Sequence, residues 1–123
     1  MARDRAREKS FEDLIAWQKA VALVTTMYRL SASWPAEERF GLTNQVRRAS
    51  VSIPSNIAEG QGRQGSAELK RFLSIAHGSL CEVQTQIHIA RNLGFSTDEE
   101  IGAALVDAAE VGRILRGLQN SLS

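Results

Sequence analysis

The stretch SAELKRFLSIAHGSLCEVQTQIHIARNLG, residues 66–94, decides the fold of this chain. Its apolar residues recur at spacings of three and four, a pattern that places them on one face of an α-helix. Ser66 can cap this helix, and Gly94 is placed to end it in the left-handed conformation. We therefore predict a helix from Ser66 to Asn92 or Leu93. Its core-facing residues are Leu69, Phe72, Ala76, Leu80, Val83, Ile87 and Ala90.

Three other segments show the same helical periodicity. The first runs from residue 10 to about residue 30, the second from residue 41 to residue 58, and the fourth begins after Thr97, where Glu100 completes a capping box. No segment alternates apolar and polar residues between turns, as strands do. Four amphipathic helices with mostly short connections favour an all-α fold, an antiparallel up-down-up-down four-helix bundle.

The first helix is apolar on two sides. One stripe, predicted to face the core, consists of Leu14, Trp17, Val21, Val24 and Tyr28. The stripe on nearly the opposite side consists of Ala16, Ala20, Leu23, Met27 and Leu30. A helix of this kind needs two partners, and in the third helix Ile75 and Ile89 likewise point away from the core stripe. We therefore expect contacts with another copy of the chain at Leu23, Met27, Ile75 and Ile89.

The composition is that of one globular domain. The 123 residues are 43% apolar and 24% charged, which argues against disorder and against residence in a membrane. No apolar run approaches the roughly 20 residues that cross a bilayer, and the single cysteine fits a reducing compartment, so we expect a cytoplasmic protein without membrane contact. Residues 1–9, which hold four basic side chains, are interpreted as a mobile arm, and residues 10–123 as one domain.

A polar stripe runs along the second helix beside its apolar one. It consists of Gln45, Arg48, Ser52, Asn56 and Glu59. One interpretation is a groove for a ligand or nucleic acid. The other is a buried polar network between helices or subunits, with Arg48 paired to Glu82 of the third helix. Pro54 lies inside the second helix, so we also expect a kink there, with the hydroxyl of Ser50 or Ser52 in the local hydrogen bonding.

The sequence contains no recognisable set of catalytic or metal-binding residues. His77 and Cys81 lie four residues apart on one helix face, but two ligands do not make a zinc site, and we expect no metal or cofactor. A thiol nucleophile at Cys81 would lack an identifiable orienting group. Phosphate-binding, dinucleotide-binding and metallopeptidase motifs are absent from the sequence. We therefore predict that the protein is not an enzyme.

Basic residues around the glycine-rich segment 60–65 are the candidates for contact with nucleic acid. They are Arg47, Arg63, Lys70 and Arg71, and the arm adds Arg3, Arg5, Arg7 and Lys9 as further candidates. Phosphate contacts need only such cations, and assembly into a ring would multiply them. The net charge is only +1, however, and the few aromatic residues look committed to the core. Because base stacking needs free aromatic side chains, we do not expect sequence-specific recognition.

Several motifs resemble those of the four-helix bundle family named after 23S rRNA intervening sequences. The most specific is SIPSNIAEG, residues 52–60, and the helix break at Trp34 and Pro35 also agrees. The resemblance extends from Ser10 to about Leu118. Further matching residues are Phe11, Leu14 and Trp17 in the first helix and Ala76, Gly78, Ser79, Leu80 and Glu82 in the third.

This resemblance implies a small bacterial four-helix bundle that forms homopentamers and has no established activity, and it supplies no catalytic residues. A relative of the family is the accessory protein of diversity-generating retroelements, a basic pentamer that binds a reverse transcriptase and nucleic acid. We therefore expect a non-enzymatic scaffold or interaction protein. The alternative is a nucleic-acid-binding accessory protein that assists a reverse transcriptase, against which the net charge of +1 counts.

Overall fold

The computed structural model describes residues 10–122, which form four long α-helices and two short 3-10 turns, Phe11–Asp13 and Ala36–Glu38. No strand occurs in this part of the chain, so the prediction of an all-α four-helix fold is confirmed. The interpretation of residues 1–9 as a mobile arm falls outside the described residues. The helices are α1 (Ile15–Ser31), α2 (Leu42–Gly62), α3 (Ser66–Asn92) and α4 (Asp98–Ser121).

The four helices pack in a closed square. α1 and α3 each pack against α2 and α4, and no comparable contact joins the diagonal pairs within the described residues. Ser52 meets Ser79 while Gly60, further along α2, approaches Phe72, earlier in α3, so these two helices run antiparallel. α3 and α4 are antiparallel too, because Leu80 meets Gly112 whereas Ser74, earlier in α3, meets Gln119, later in α4. α1 and α4 are also antiparallel. Lys19, early in α1, pairs with Glu110, and Trp34, after the end of α1, bonds to Ser96, before the start of α4.

The side of α1 that faces the core is the opposite of the one predicted. Leu23 and Met27 are fully buried, at 1% and 0% exposure, whereas Val21 and Tyr28 reach the surface. The prediction that Leu23 and Met27 contact another copy is therefore wrong. The buried stripe begins with two alanines, whose small side chains let α1 approach its neighbours closely, while Leu14 and Trp17 of the other stripe pack only partly buried against the core. The buried residues of α1 are Ala16, Ala20, Leu23, Met27, Leu30 and Ser31.

The predicted signals at the helix ends hold for α4 and for the end of α3. The Thr97 hydroxyl accepts from the Glu100 amide at 3.1 Å and the Glu100 carboxylate accepts from the Thr97 amide at 2.9 Å, a complete capping box. Gly94 has a φ of 72°, as its role at the end of α3 requires. Ser66 does not cap α3, because Gly65 takes that position without a side-chain hydrogen bond.

The connection between α2 and α3 is shorter than the glycines predict. α2 continues to Gly62, so Gly60 is helical rather than part of a loop. A Cβ atom on Gly60 would lie 2.7 Å from the Phe72 Cβ atom and 3.1 Å from Leu69 Cδ1. The glycine is therefore a point of close helix packing. None of the described helices is long and apolar enough to cross a bilayer.

Candidate functional site

A polar groove lies between α2 and α3, with a volume of about 370 Å³. It brings together three residues of the predicted polar stripe of α2, Gln45, Arg48 and Ser52, with Glu82 of α3. We call it the α2–α3 groove. Its lining residues are Asn44, Gln45, Arg48, Ala49, Ser52, Ser79, Glu82 and Gln86.

The floor of the groove is a small hydrogen-bonded network. The Ser52 and Ser79 hydroxyl oxygens lie 2.8 Å apart, which joins the two helices. Asn56 donates from Nδ2 to the Ser52 hydroxyl at 2.9 Å and to the Ser52 carbonyl at 2.8 Å, across the turn that contains the buried Pro54. Ser50, whose carbonyl Pro54 frees, donates its hydroxyl to the Arg47 carbonyl at 2.9 Å. The expectation that serine hydroxyls near Pro54 take part in the local hydrogen bonding is thus confirmed, while the kink expected there stays a prediction.

The predicted ion pair between Arg48 and Glu82 does not form. Both side chains line the groove but are exposed at its rim. Water solvates charges at the rim well, so the side chains gain little free energy from pairing. Glu59 lies outside the groove lining and pairs with Arg63 at 2.8 Å. The ion pairs of residues 10–122 are Lys19–Glu110, Arg63–Glu59, Arg71–Glu68 and Arg91–Asp98, which leaves Arg48 and Glu82 without one.

Sequence reasoning missed Gln86, which is the least satisfied group in the groove. The residue is only 7% exposed, and its Oε1 atom has no hydrogen-bond partner. A buried acceptor without a donor costs about 1–3 kcal/mol. The signal was present in the sequence, because Gln86 follows Val83 and precedes Ala90 at core spacing, where a polar residue needs an explanation.

A second, more open part of the same surface continues along α3. Gln45, Glu82 and Gln86 border both parts, and Gly78 and Ile89 border only the second. Apart from its own helix backbone, no atom lies within 4 Å of a Cβ placed on Gly78, so no side chain covers the backbone at this point of α3. Ile75 and Ile89, seven residues on either side of Glu82, are each 41% exposed on the same helix face. The assignment of these two isoleucines to a contact with another copy stays a prediction.

The four basic residues predicted to contact nucleic acid do not form one cluster. Arg47 of α2 lies 16 residues before Arg63, which directly follows the end of α2, so the two are about 24 Å apart along the helix axis. It donates to the Ser31 hydroxyl at 2.8 Å and stacks on the Tyr28 ring at 4.6 Å.

The remaining three lie near the connection between α2 and α3. Arg63 and Arg71 both stack on Phe72 and pair with Glu59 and Glu68, whereas Lys70 is exposed.

His77 and Cys81 are neighbours, as their spacing predicts. The Cys81 Sγ atom lies 3.9 Å from His77 Nδ1, and Arg116 Nη2 of α4 lies 3.2 Å from His77 Nε2. Within residues 10–122, no group of three or more His, Cys, Asp or Glu side chains is arranged to hold a metal ion.

A known protein family matches a segment that includes residues of all four helices. The profile of the 23S rRNA-intervening sequence protein family matches residues 12–117. The chain belongs to this family. The match covers both α2 and α3 and therefore the whole α2–α3 groove, in agreement with the resemblance carried by residues 52–60.

A solved structure supports the fold. It is that of a protein of unknown function from the S23 ribosomal protein family of Bacteroides thetaiotaomicron VPI-5482. It is similar to this chain with a TM-score of 0.77 and 19% sequence identity, over 85% of this chain and 98% of the other. At that identity the likeness shows the fold alone. No curated protein matches the sequence.

Proposed function

We propose that this chain is a non-enzymatic subunit of a cytoplasmic homopentamer, which serves as a scaffold or interaction protein. In this proposal the α2–α3 groove, together with Ile75 and Ile89, is the contact between copies. The observation that carries it is the buried Gln86 Oε1 atom, which has no hydrogen-bond donor. The same groove is lined by Arg48 and Glu82, which form no ion pair within residues 10–122. Five subunits is the number that the family resemblance implies.

The apolar part of this surface favours a protein partner. Ile75 and Ile89 are each 41% exposed, and burying what remains would contribute about 1 kcal/mol for each side chain. Gly78 lies between them without a side chain, which permits the close approach of another backbone. A contact that also supplied a donor to Gln86 would remove the cost of its unsatisfied acceptor.

The charged part of the surface favours a second copy as that partner. Arg48 and Glu82 have opposite charge and no ion-pair partner within residues 10–122. A copy of the same chain carries both charges, so a contact in which Arg48 of one subunit meets Glu82 of the next would pair them. A ring joins two different surfaces of the chain, so Arg48, on α2, would face one neighbour and Glu82, on α3, would face the other.

Light scattering after gel filtration tests the assembly. The wild type is expected at about five times the chain mass of 13.5 kDa, and the double variant Ile75→Lys/Ile89→Lys at the mass of one chain. Two buried ammonium groups without partners would oppose the contact. The matched control is Val106→Lys on α4, where the side chain is 66% exposed and the wild-type mass should persist. A wild type that is monomeric at micromolar concentration would refute the proposal.

Arg48→Ala separates assembly from folding. Because Arg48 makes no ion pair within residues 10–122, its removal should leave the folding of one subunit intact and shift the mass distribution toward single chains. Glu82→Ala should act in the same way, and combining Arg48→Glu with Glu82→Arg should restore assembly. Circular dichroism confirms folding. If the charge-swapped variant assembled no better than either single reversal, the proposed pairing would be wrong.

A nucleic-acid-binding accessory function, of the kind that assists a reverse transcriptase, is the weaker candidate. Arg63 and Arg71 are paired with acidic residues, and Arg47 lies at the other end of α2. A ring would still bring several copies of Arg63, Lys70 and Arg71 together. The test is a mobility-shift titration with a single-stranded oligonucleotide, in which binding should weaken steeply with salt. The absence of a shift at low salt would eliminate this function.

A further inference from the structure

A second groove, with a volume of about 500 Å³, lies between α3 and α4. We call it the α3–α4 groove. α4 contributes Arg113, Arg116 and Asn120, at spacings of three and four that place them on one helix face. α3 contributes His77 and Gln84 from the facing side. Two helices thus direct hydrogen-bond donors toward the same space.

The charge of this groove is entirely positive. None of its lining residues is acidic, and neither Arg113 nor Arg116 pairs with a carboxylate in the part of the chain that the structure describes. Two guanidinium groups therefore line one groove without the anion that usually accompanies them. A guanidinium group presents its N–H donors in a planar fork that matches carboxylate and phosphate oxygens.

His77 holds one of these cations without neutralising it. Arg116 Nη2 lies 3.2 Å from His77 Nε2. A guanidinium group can only donate, so Nε2 is the acceptor of this hydrogen bond, while Nδ1 faces the Cys81 sulfur at 3.9 Å. The contact orients Arg116, and His77 brings no negative charge to it. The full positive charge of Arg116 remains available to a ligand.

The floor of the groove is apolar and has room for more than an ion. Leu80 and Gly112 form part of it, and Leu80 Cδ2 fills the space beside Gly112. At Gly117, in contrast, no atom lies within 4 Å of the position that a Cβ atom would occupy. A glycine inside a helix costs about 0.5–1 kcal/mol relative to alanine, and no packing contact explains this one. The bare backbone at Gly117 widens the groove.

We propose that the α3–α4 groove binds a small organic anion, in which a phosphate or carboxylate group is attached to an apolar or planar body. The anionic group would lie between Arg113 and Arg116, with the Gln84 and Asn120 amides as further donors, and the body against Leu80 and the Gly117 backbone. The proposed anion-binding residues are not among those of the proposed contact between copies, although Cys81 borders both surfaces.

The test is a titration of the full-length protein by heteronuclear NMR, with phenyl phosphate, benzoate and inorganic phosphate as probes. Phenyl phosphate or benzoate should give saturable shifts of the amide signals of residues 77–84 and 112–120. Which of the two binds more tightly identifies the anionic group. Inorganic phosphate should bind at least about threefold more weakly than phenyl phosphate, because it makes no contact with the apolar floor.

Two variants test the assigned contacts. Arg113→Gln/Arg116→Gln should weaken binding by about tenfold or more, because charge-assisted hydrogen bonds to the anion are lost. Gly117→Leu should block the groove while leaving the protein folded, because leucine favours helix and its Cβ atom would meet no neighbour. The matched controls are Arg39→Gln, in the connection between α1 and α2, and Gly102→Leu, at a position of α4 that is equally open but lies outside the groove. Both controls should bind like the wild type.

Absence of saturable binding at millimolar probe would overturn the proposal, as would equal binding by the wild type and the double arginine variant. Nucleic acid is the competing occupant. If phenyl phosphate and benzoate failed to bind, and a single-stranded oligonucleotide bound and lost affinity on Arg113→Gln/Arg116→Gln, the small-molecule site would be refuted.

Discussion

Gly60 marks a position where α2 and α3 leave no room for a side chain. A methyl group there would approach the Phe72 Cβ atom to 2.7 Å, and Phe72 is itself buried. The Cβ atom of Phe72 is attached to the backbone and cannot rotate away. The residue that looks like a loop glycine in the sequence is therefore a packing residue.

At this residue scale, we predict that Gly60→Ala destabilises the protein by about 1–3 kcal/mol, because overpacking outweighs the gain in helix propensity. Gly62→Ala, two residues further in the same helix, is the control, since no atom lies within 4 Å of its Cβ position. It should be neutral or slightly stabilising. Urea denaturation at one fixed protein concentration measures both. Equal effects of the two substitutions would contradict the assigned packing.

At the scale of a single helix, the residues at the start of α4 determine by themselves where this helix begins. The capping box of Thr97 and Glu100 satisfies backbone amides that no preceding turn can reach. Three acidic residues in the first turn, Asp98, Glu99 and Glu100, also favour the positive end of the helix dipole.

We predict that Thr97→Ala lowers stability by about 1 kcal/mol, with a fall of about 4 °C in the melting temperature. The control is Thr25→Ala in the middle of α1, where the hydroxyl donates to the Val21 carbonyl at 3.4 Å and caps nothing. That change should stay within about 0.5 kcal/mol of the wild type. A Thr97→Ala variant that melts with the wild type would show that the box contributes no stability.

At the scale of the whole molecule, the burial of Leu23 and the exposure of Ile75 distinguish a residue of the core from a residue of the proposed contact between copies. We predict that Leu23→Ala costs about 2–5 kcal/mol of stability, because it leaves a cavity at a fully buried site, and that the remaining folded protein assembles as before. Ile75→Ala, at 41% exposure, should cost little in the folding of one subunit and should weaken assembly. Denaturation and light scattering on both variants distinguish the two roles. If Leu23→Ala kept the wild-type stability but no longer assembled, this assignment of the two residues would be wrong.

The sequence by itself determined the helical class of this protein, much of the helix-end chemistry and the family. Thr97 with Glu100, and Gly94, act on backbone groups within one turn, so their effect does not depend on the rest of the chain. The apolar spacing of residues 66–94 likewise requires only the geometry of one helix. These predictions depended on local interactions, and they were confirmed.

Only the tertiary structure decided which faces meet. Periodicity places the stripes of α1 on opposite sides, but it contains no information about which side the other helices cover, and Leu23 was therefore assigned to the wrong one. The same limit applies to Arg48 and Glu82, which share a groove without pairing, and to the unsatisfied Gln86 in the same groove. Distances between side chains on different helices depend on how the helices cross and how closely they approach, and those quantities arise from the packing of all four together.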